Sequence, residues 1–90
     1  MKKSIHDQRY MELIAKLRSF RKKKLLSQAE LAAKMGKPQS FIAKVESCER
    51  RVDLIETIEL CIAIGISISD IIPNEFRNRF PNNANSKGKE

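Results

Sequence analysis

The sequence predicts an all-α domain of five short helices, on three observations. Apolar residues recur at helical spacing, and no strand-like alternation stands out. Helix-start pairs recur at Ser27/Glu30, Asp53/Glu56 and Ser67/Asp70. Two short helical patterns also abut in LSQAELAAKMGKPQSFIAKVE, Leu26 to Glu46, with only Gly36, Lys37 and Pro38 between them. Short helices are marginal alone, and so tight a link makes them cross at a steep angle.

Leu13, Ile14, Leu17 and Phe20 mark the inner face of a first helix from about Asp7 to Lys24, with Ser4 followed by Asp7 as its start signal. RKKK, Arg21 to Lys24, closes it with charge that suits a helix C-terminus. Ser27 opens the second helix, and Glu30 completes a capping box. Its buried side is Leu31, Ala32 and Met35, and Gly36 supplies the left-handed residue that ends it. Pro38 fits the first turn of a third helix, about Gln39 to Ser47. There Ile42 and Val45 point inward and Phe41 lies on the margin, opposite a polar face of Gln39, Ser40, Ala43, Lys44 and Ser47. Asp53 and Glu56 start a fourth helix that ends at Gly65. Its expected core side is Leu54, Leu60, Cys61 and Ile64, with Thr57 alongside. Ser67 and Asp70 start a short fifth helix, ISDII, stopped by Pro73. The expected organisation is therefore a helical domain over residues 1–73, a turn or arm over 74–80, and a polar, disordered tail over 81–90.

Composition narrows the function classes. Ninety residues form one domain with one modest core. No apolar run is long enough for a membrane span, and the basic start MKKSIHDQRY lacks the apolar region of a secretory signal. The cytoplasm is the expected compartment. A membrane-surface helix over residues 1–24 is disfavoured because its apolar face is needed for the core. Cys48 and Cys61 lack metal-ligand spacing and His6 is the single histidine, so no metal or cofactor site is expected and both thiols are expected free. No nucleophile–base–acid set points to an enzyme.

The net charge of +7 is unevenly spread. Residues 1–26 hold nine Lys or Arg against two acids, while residues 54–72 hold none against three. Such asymmetry suits an anionic polymer as partner. It joins the tight turn in suggesting a helix-turn-helix, whose second helix crosses the DNA backbone while the third enters the major groove. Gln39 suits adenine, Lys44 suits guanine, and Ser40 serves several bases. Ala43 is small enough to let the helix sit deep. The amide at Gln28, at a helix N-terminus, suits phosphate.

LRSFRKKKLLSQAELAAKMGKPQSFIAKVESCERRVDLIETIELCIAIGIS strongly resembles the phage-repressor-like helix-turn-helix family, the Cro/repressor or xenobiotic-response-element type. The resemblance covers about Ile14 to Ile72. It implies a five-helix fold and a regulator of transcription that binds double-stranded DNA, usually as a dimer. Carried over by position, Gln39, Ser40 and Lys44 read bases, and Gln28, Lys37, Arg50 and Arg51 contact the backbone. Arg21 and Glu46 fall where the family joins its first and third helices by an ion pair. The family commonly has glycine at the position of Cys48. If a positive φ is needed there, Cys48 carries roughly 1–2 kcal/mol of strain; the alternatives are a different loop conformation, which would alter the contacts of Arg50 and Arg51, and an exposed redox-sensitive thiol.

Ile55, Ile58 and Ile62 form a second apolar stripe on the fourth helix, which must also be covered. A two-fold partner is expected to cover it, with fold-back of Phe76 and Phe80 as the alternative. The expected function is thus a sequence-specific regulator that binds a palindromic operator as a homodimer, as a repressor, an autoregulating antitoxin or a restriction controller of a bacterium or phage. The alternative is a protein-interaction module, such as an antitoxin binding a toxin, with DNA secondary.

Overall fold

The computed structural model describes residues 7–81. The expected start signal at Ser4, His6, and the tail from residue 82 onward lie outside the described residues. The chain forms α1 (Gln8–Lys23), α2 (Gln28–Lys34), α3 (Gln39–Glu46), α4 (Leu54–Ile64), a 3-10 helix (Ile68–Ile71) and α5 (Asn74–Arg77). All regular structure among the described residues is helical.

α1, α2, α4 and the 3-10 helix begin where side chains satisfy free N–H groups, whereas α3 and α5 begin at prolines. Asp7 caps α1 by accepting from the Arg9 amide. Ser27 with Glu30, and Asp53 with Glu56, are complete capping boxes on α2 and α4. Ser67 and Asp70 also form one, but the segment they start is 3-10 rather than α, as short helical turns often are. Pro38 stands at the cap of α3, one residue earlier than its sequence expectation, and its carbonyl accepts from the Phe41 amide at 3.0 Å.

The ends of α1 to α4 share one device, a residue with positive φ. After α2, Gly36 at φ 68° bonds Ala33 O while Lys37 N reaches Ala32 O. This is the Schellman arrangement. Leu25 at φ 59° closes α1 in the same way and Cys48 at φ 63° closes α3, each with the following amide bonded back to the helix. Gly65 at φ 89° ends α4. Two of these four left-handed positions therefore carry a Cβ.

The core is a single cluster. Ile14 and Leu17 of α1, Leu31 and Ala32 of α2, and Ile42 and Val45 of α3 meet Leu60, Cys61 and Ile64 of α4 and Ile71. Ala32 is 1% exposed between α2 and its neighbours, so a larger side chain there would force helices apart. Phe41 is buried rather than marginal, because two cations cover its open side. Leu54, expected in the core, is exposed. It is the first residue of α4, and the chain turns in so that Val52, just before the cap, fills the inner place. Tyr10 Oη fixes that turn by accepting from the Val52 amide at 3.1 Å. The segment NEFRNRF contributes the single turn α5, tied to α1 where Glu12 accepts from the Asn74 amide at 2.9 Å. No helix among the described residues is long and apolar enough to cross a membrane.

Candidate nucleic-acid interface

The sequence of α3 alternates one apolar flank with one polar flank. Phe41, Ile42 and Val45 are buried against the core. Gln39, Ser40, Lys44 and Ser47 are exposed on the opposite side, with Ala43 half-buried between them. One convex helix thus shows amide, hydroxyl and ammonium groups around a small residue, the inventory that reads base edges in a major groove.

A buried ion pair fixes this helix to the scaffold. Arg21, at the end of α1, donates Nε to Glu46 Oε2 at 2.6 Å and Nη2 to Glu46 Oε1 at 2.9 Å. Its Nη1 donates to Leu26 O at 2.7 Å, which also holds the link between α1 and α2. Both side chains are 8% exposed. Arg18 approaches the same carboxylate at 3.9 Å from a more exposed position. Among the described residues, no buried side-chain nitrogen or oxygen lacks a partner.

Gln28 extends the network to the exposed polar face of α3. Its Nε2 donates to Glu46 Oε1 at 2.9 Å, and its Oε1 accepts from Gln39 Nε2 at 3.4 Å. The Gln28 side chain therefore joins the α2 N-terminus to both ends of α3.

Lys37 and Arg50 meet at Phe41. Lys37 Nζ lies 5.1 Å and Arg50 Cζ 4.7 Å from the ring centroid, both within cation–π range. Arg50 also makes a two-pronged pair with Glu56, Nη1 to Oε1 and Nη2 to Oε2, each at 3.0 Å. The guanidinium lowers the Glu56 carboxyl below its ordinary value through those hydrogen bonds, with the Asp53 amide adding to the effect. Arg51 sits elsewhere. Its Cζ lies 5.4 Å from the Tyr10 ring, in a groove shared with Arg9, Pro73 and Phe76. The four expected backbone contacts are thus two at the helix-turn-helix link and its flank, one at the α2 N-terminus, and one beside α1 and α5.

Ile55, Ile58 and Ile62 are exposed on α4, joined by Leu54. Phe76 packs under Arg9 and Arg79 and Phe80 is exposed beside Ile68 and Ile72. The contacts of both phenylalanines are thus with residues outside the isoleucine stripe. The Cys48 thiol is half-buried, and burial pushes its pKa up. That favours the inert thiol over the reactive thiolate. Cys61 is buried and shifted the same way. Among the described residues, no cluster of His, Cys, Asp and Glu could hold a metal ion.

Sequence reasoning did not single out Glu56 as the partner of Arg50, Tyr10 as the anchor of the α3–α4 loop, or Leu25 as a left-handed residue. The capping box at Asp53 and Glu56 signalled a carboxylate in place beside an arginine-rich loop; the other two carried no local signal.

Residues 17–71 match a family model described as helix-turn-helix. An XRE-family like protein from Pseudomonas syringae pv. tomato is similar in structure with a TM-score of 0.74 and 37% identity, over 87% of this chain and 94% of that one. A hypothetical transcription factor from Neisseria, NHTF, is similar with a TM-score of 0.67 and 26% identity, over 80% of this chain and 85% of that one. A search of curated proteins returns no match.

Proposed function

The chain belongs to the phage-repressor-like helix-turn-helix family, and on that premise we propose that it is a transcription regulator that binds a palindromic operator in double-stranded DNA as a homodimer. The family is one of non-enzymatic DNA-binding proteins. In this reading α3 enters the major groove, where Gln39, Ser40 and Lys44 meet base edges. Gln28, Lys37, Arg50 and Arg51 contact the phosphate backbone, which carries most of the sequence-independent affinity. The observation that carries the reading is the exposed polar face of α3, held to the scaffold by the buried Arg21–Glu46 pair. The description of the Neisseria neighbour as a hypothetical transcription factor accords with it.

The homodimer rests on α4. Ile55, Ile58 and Ile62 share one exposed apolar stripe, and residues 54–72 contain no Lys or Arg. A face of that kind turns away from phosphate and gains by being covered. A two-fold interface there sets two reading helices one turn of DNA apart, roughly 34 Å.

Selection of bound sites from a random duplex library tests the function. The expected product is an enriched inverted repeat. Recovery of unenriched sequence under conditions where the protein is folded, or no retention of DNA at all, contradicts it.

A further inference from the structure

A carboxylate is fixed between cations at the rim of the proposed DNA surface. Lys37 and Arg50 flank Phe41 at the edge of the helix-turn-helix, yet Glu56 places a carboxylate among them. It neutralises the very guanidinium that a phosphate would use.

Glu56 is not a loose surface acid. Its Oε1 accepts from the Asp53 amide at 3.1 Å, completing the α4 capping box, so the carboxylate is held in place before any cation approaches. Arg50 meets both oxygens, and its Nη1 also donates to Arg51 O at 2.7 Å. The Phe41 ring supports the guanidinium face at 4.7 Å. A phosphate offers the same two-pronged acceptor geometry as a carboxylate. Glu56 and a DNA phosphate therefore compete for one fork. Capping alone does not require this charge, since glutamine serves equally at the third position of a capping box.

We propose that Glu56 is a specificity-determining residue: by holding Arg50 it withholds one cation from the phosphates of random DNA, and so lowers non-specific binding. This rests on the DNA-binding reading above. It assigns Glu56 no contact with a base. On a random duplex Arg50 stays with Glu56; at the operator, where base contacts dock the surface, Arg50 exchanges the carboxylate for the phosphate it faces. The ratio of operator to random affinity is thereby raised without any added base contact, because discrimination is a difference between two affinities.

Glu56→Gln tests this while keeping the cap. Binding of a random-sequence duplex is measured across a salt series from about 50 to 200 mM, for wild type, Glu56→Gln, Arg50→Ala and the double variant, with the selected operator measured beside it. The operator slope of Glu56→Gln is expected to equal that of wild type, and an equal steepening on both duplexes overturns the specificity role. One additional phosphate contact steepens the slope of log K against log salt by about 0.9, so on the random duplex the affinity ratio of Glu56→Gln to wild type is expected to be about 3.5-fold larger at 50 mM than at 200 mM. In the Arg50→Ala background the same substitution is expected to leave the slope unchanged, which separates release of Arg50 from the general effect of deleting an acid. Helical circular dichroism and a denaturant melt establish that each variant is folded. An unchanged random-duplex slope in folded Glu56→Gln overturns the proposal, as does an equal steepening with and without Arg50. Should Glu56→Gln fail to fold, Glu56→Ala, Asp53 still capping α4, is read against the same criteria. If no variant and no wild type binds duplex DNA, the functional reading fails instead, a distinguishable result.

Discussion

Arg21 and Glu46 lie 25 residues apart in sequence and face each other in a two-pronged pair between α1 and α3. Both are almost sealed from water. Removing one partner of such a pair leaves a buried charge without compensation, at a cost of about 3–5 kcal/mol. Glu46→Gln is therefore expected to lose stability on that scale in a denaturant melt. A loss under ~1 kcal/mol would equate the pair with ordinary surface ions.

Contacts to bases and to phosphates separate by experiment. Gln39→Ala and Lys44→Ala are expected to cost roughly 1–3 kcal/mol at the selected operator and little on random duplex. Lys37→Ala is expected to weaken both alike and to reduce the salt slope by about 0.9. Equal losses on operator and random DNA for the Gln39 and Lys44 changes would remove them from base reading.

The left-handed closures at Leu25 and Cys48 predict an unusual gain from glycine. A Cβ in that conformation costs roughly 1–2 kcal/mol, offset in part by the larger unfolded-state freedom of glycine. Leu25 is 88% exposed, so its removal forfeits little packing. Leu25→Gly is expected to stabilise by about 0.5–1 kcal/mol. At Cys48 the informative comparison is glycine against alanine, since both delete the thiol and only alanine keeps the strain. Cys48→Gly should exceed Cys48→Ala by about 1 kcal/mol in chemical denaturation. A more stable alanine variant at position 48 would refute backbone strain there.

The α4 stripe sets an oligomeric test. Ile55 and Ile62 are well exposed in the single chain, so Ile62→Glu is expected to leave the fold intact and to yield a monomer with weak half-site binding. Sedimentation of wild type and variant reads this directly. A wild type that stays monomeric at high micromolar concentration, and on DNA, leaves no role for the stripe as an interface.

The local devices were legible in the sequence. Ser27 with Glu30 and Asp53 with Glu56 begin α2 and α4 as their spacing indicates, because a capping box is complete within four residues. Gly36 ends α2 for an equally local reason. Features decided by distant partners were not. Leu54 sits on the apolar side by helical phase, yet its place at the first turn leaves it outside while Val52 turns in under Tyr10. Phe41 reads as marginal on α3 alone, and becomes core once Lys37 and Arg50 lie over its ring. Arg21–Glu46 was legible only through family position, since neither residue announces its partner. Arg50 reads as a cation until Glu56, across the α3–α4 loop, is seen to hold it.

The bond from Gln28 to Glu46 has a polarity that travels. An ionised carboxylate can only accept, so Gln28 must turn its amide nitrogen toward Glu46. Its carbonyl oxygen is then left facing Gln39, which must answer with its own nitrogen. The carbonyl oxygen of Gln39 is thereby freed to point away from α2. One acid at the far end of α3 thus dictates the donor and acceptor order of an amide at the near end, two helical turns away. Replacing Glu46 with glutamine would remove that dictation as well as the charge, since a side chain able to donate or accept lets both Gln28 and Gln39 flip.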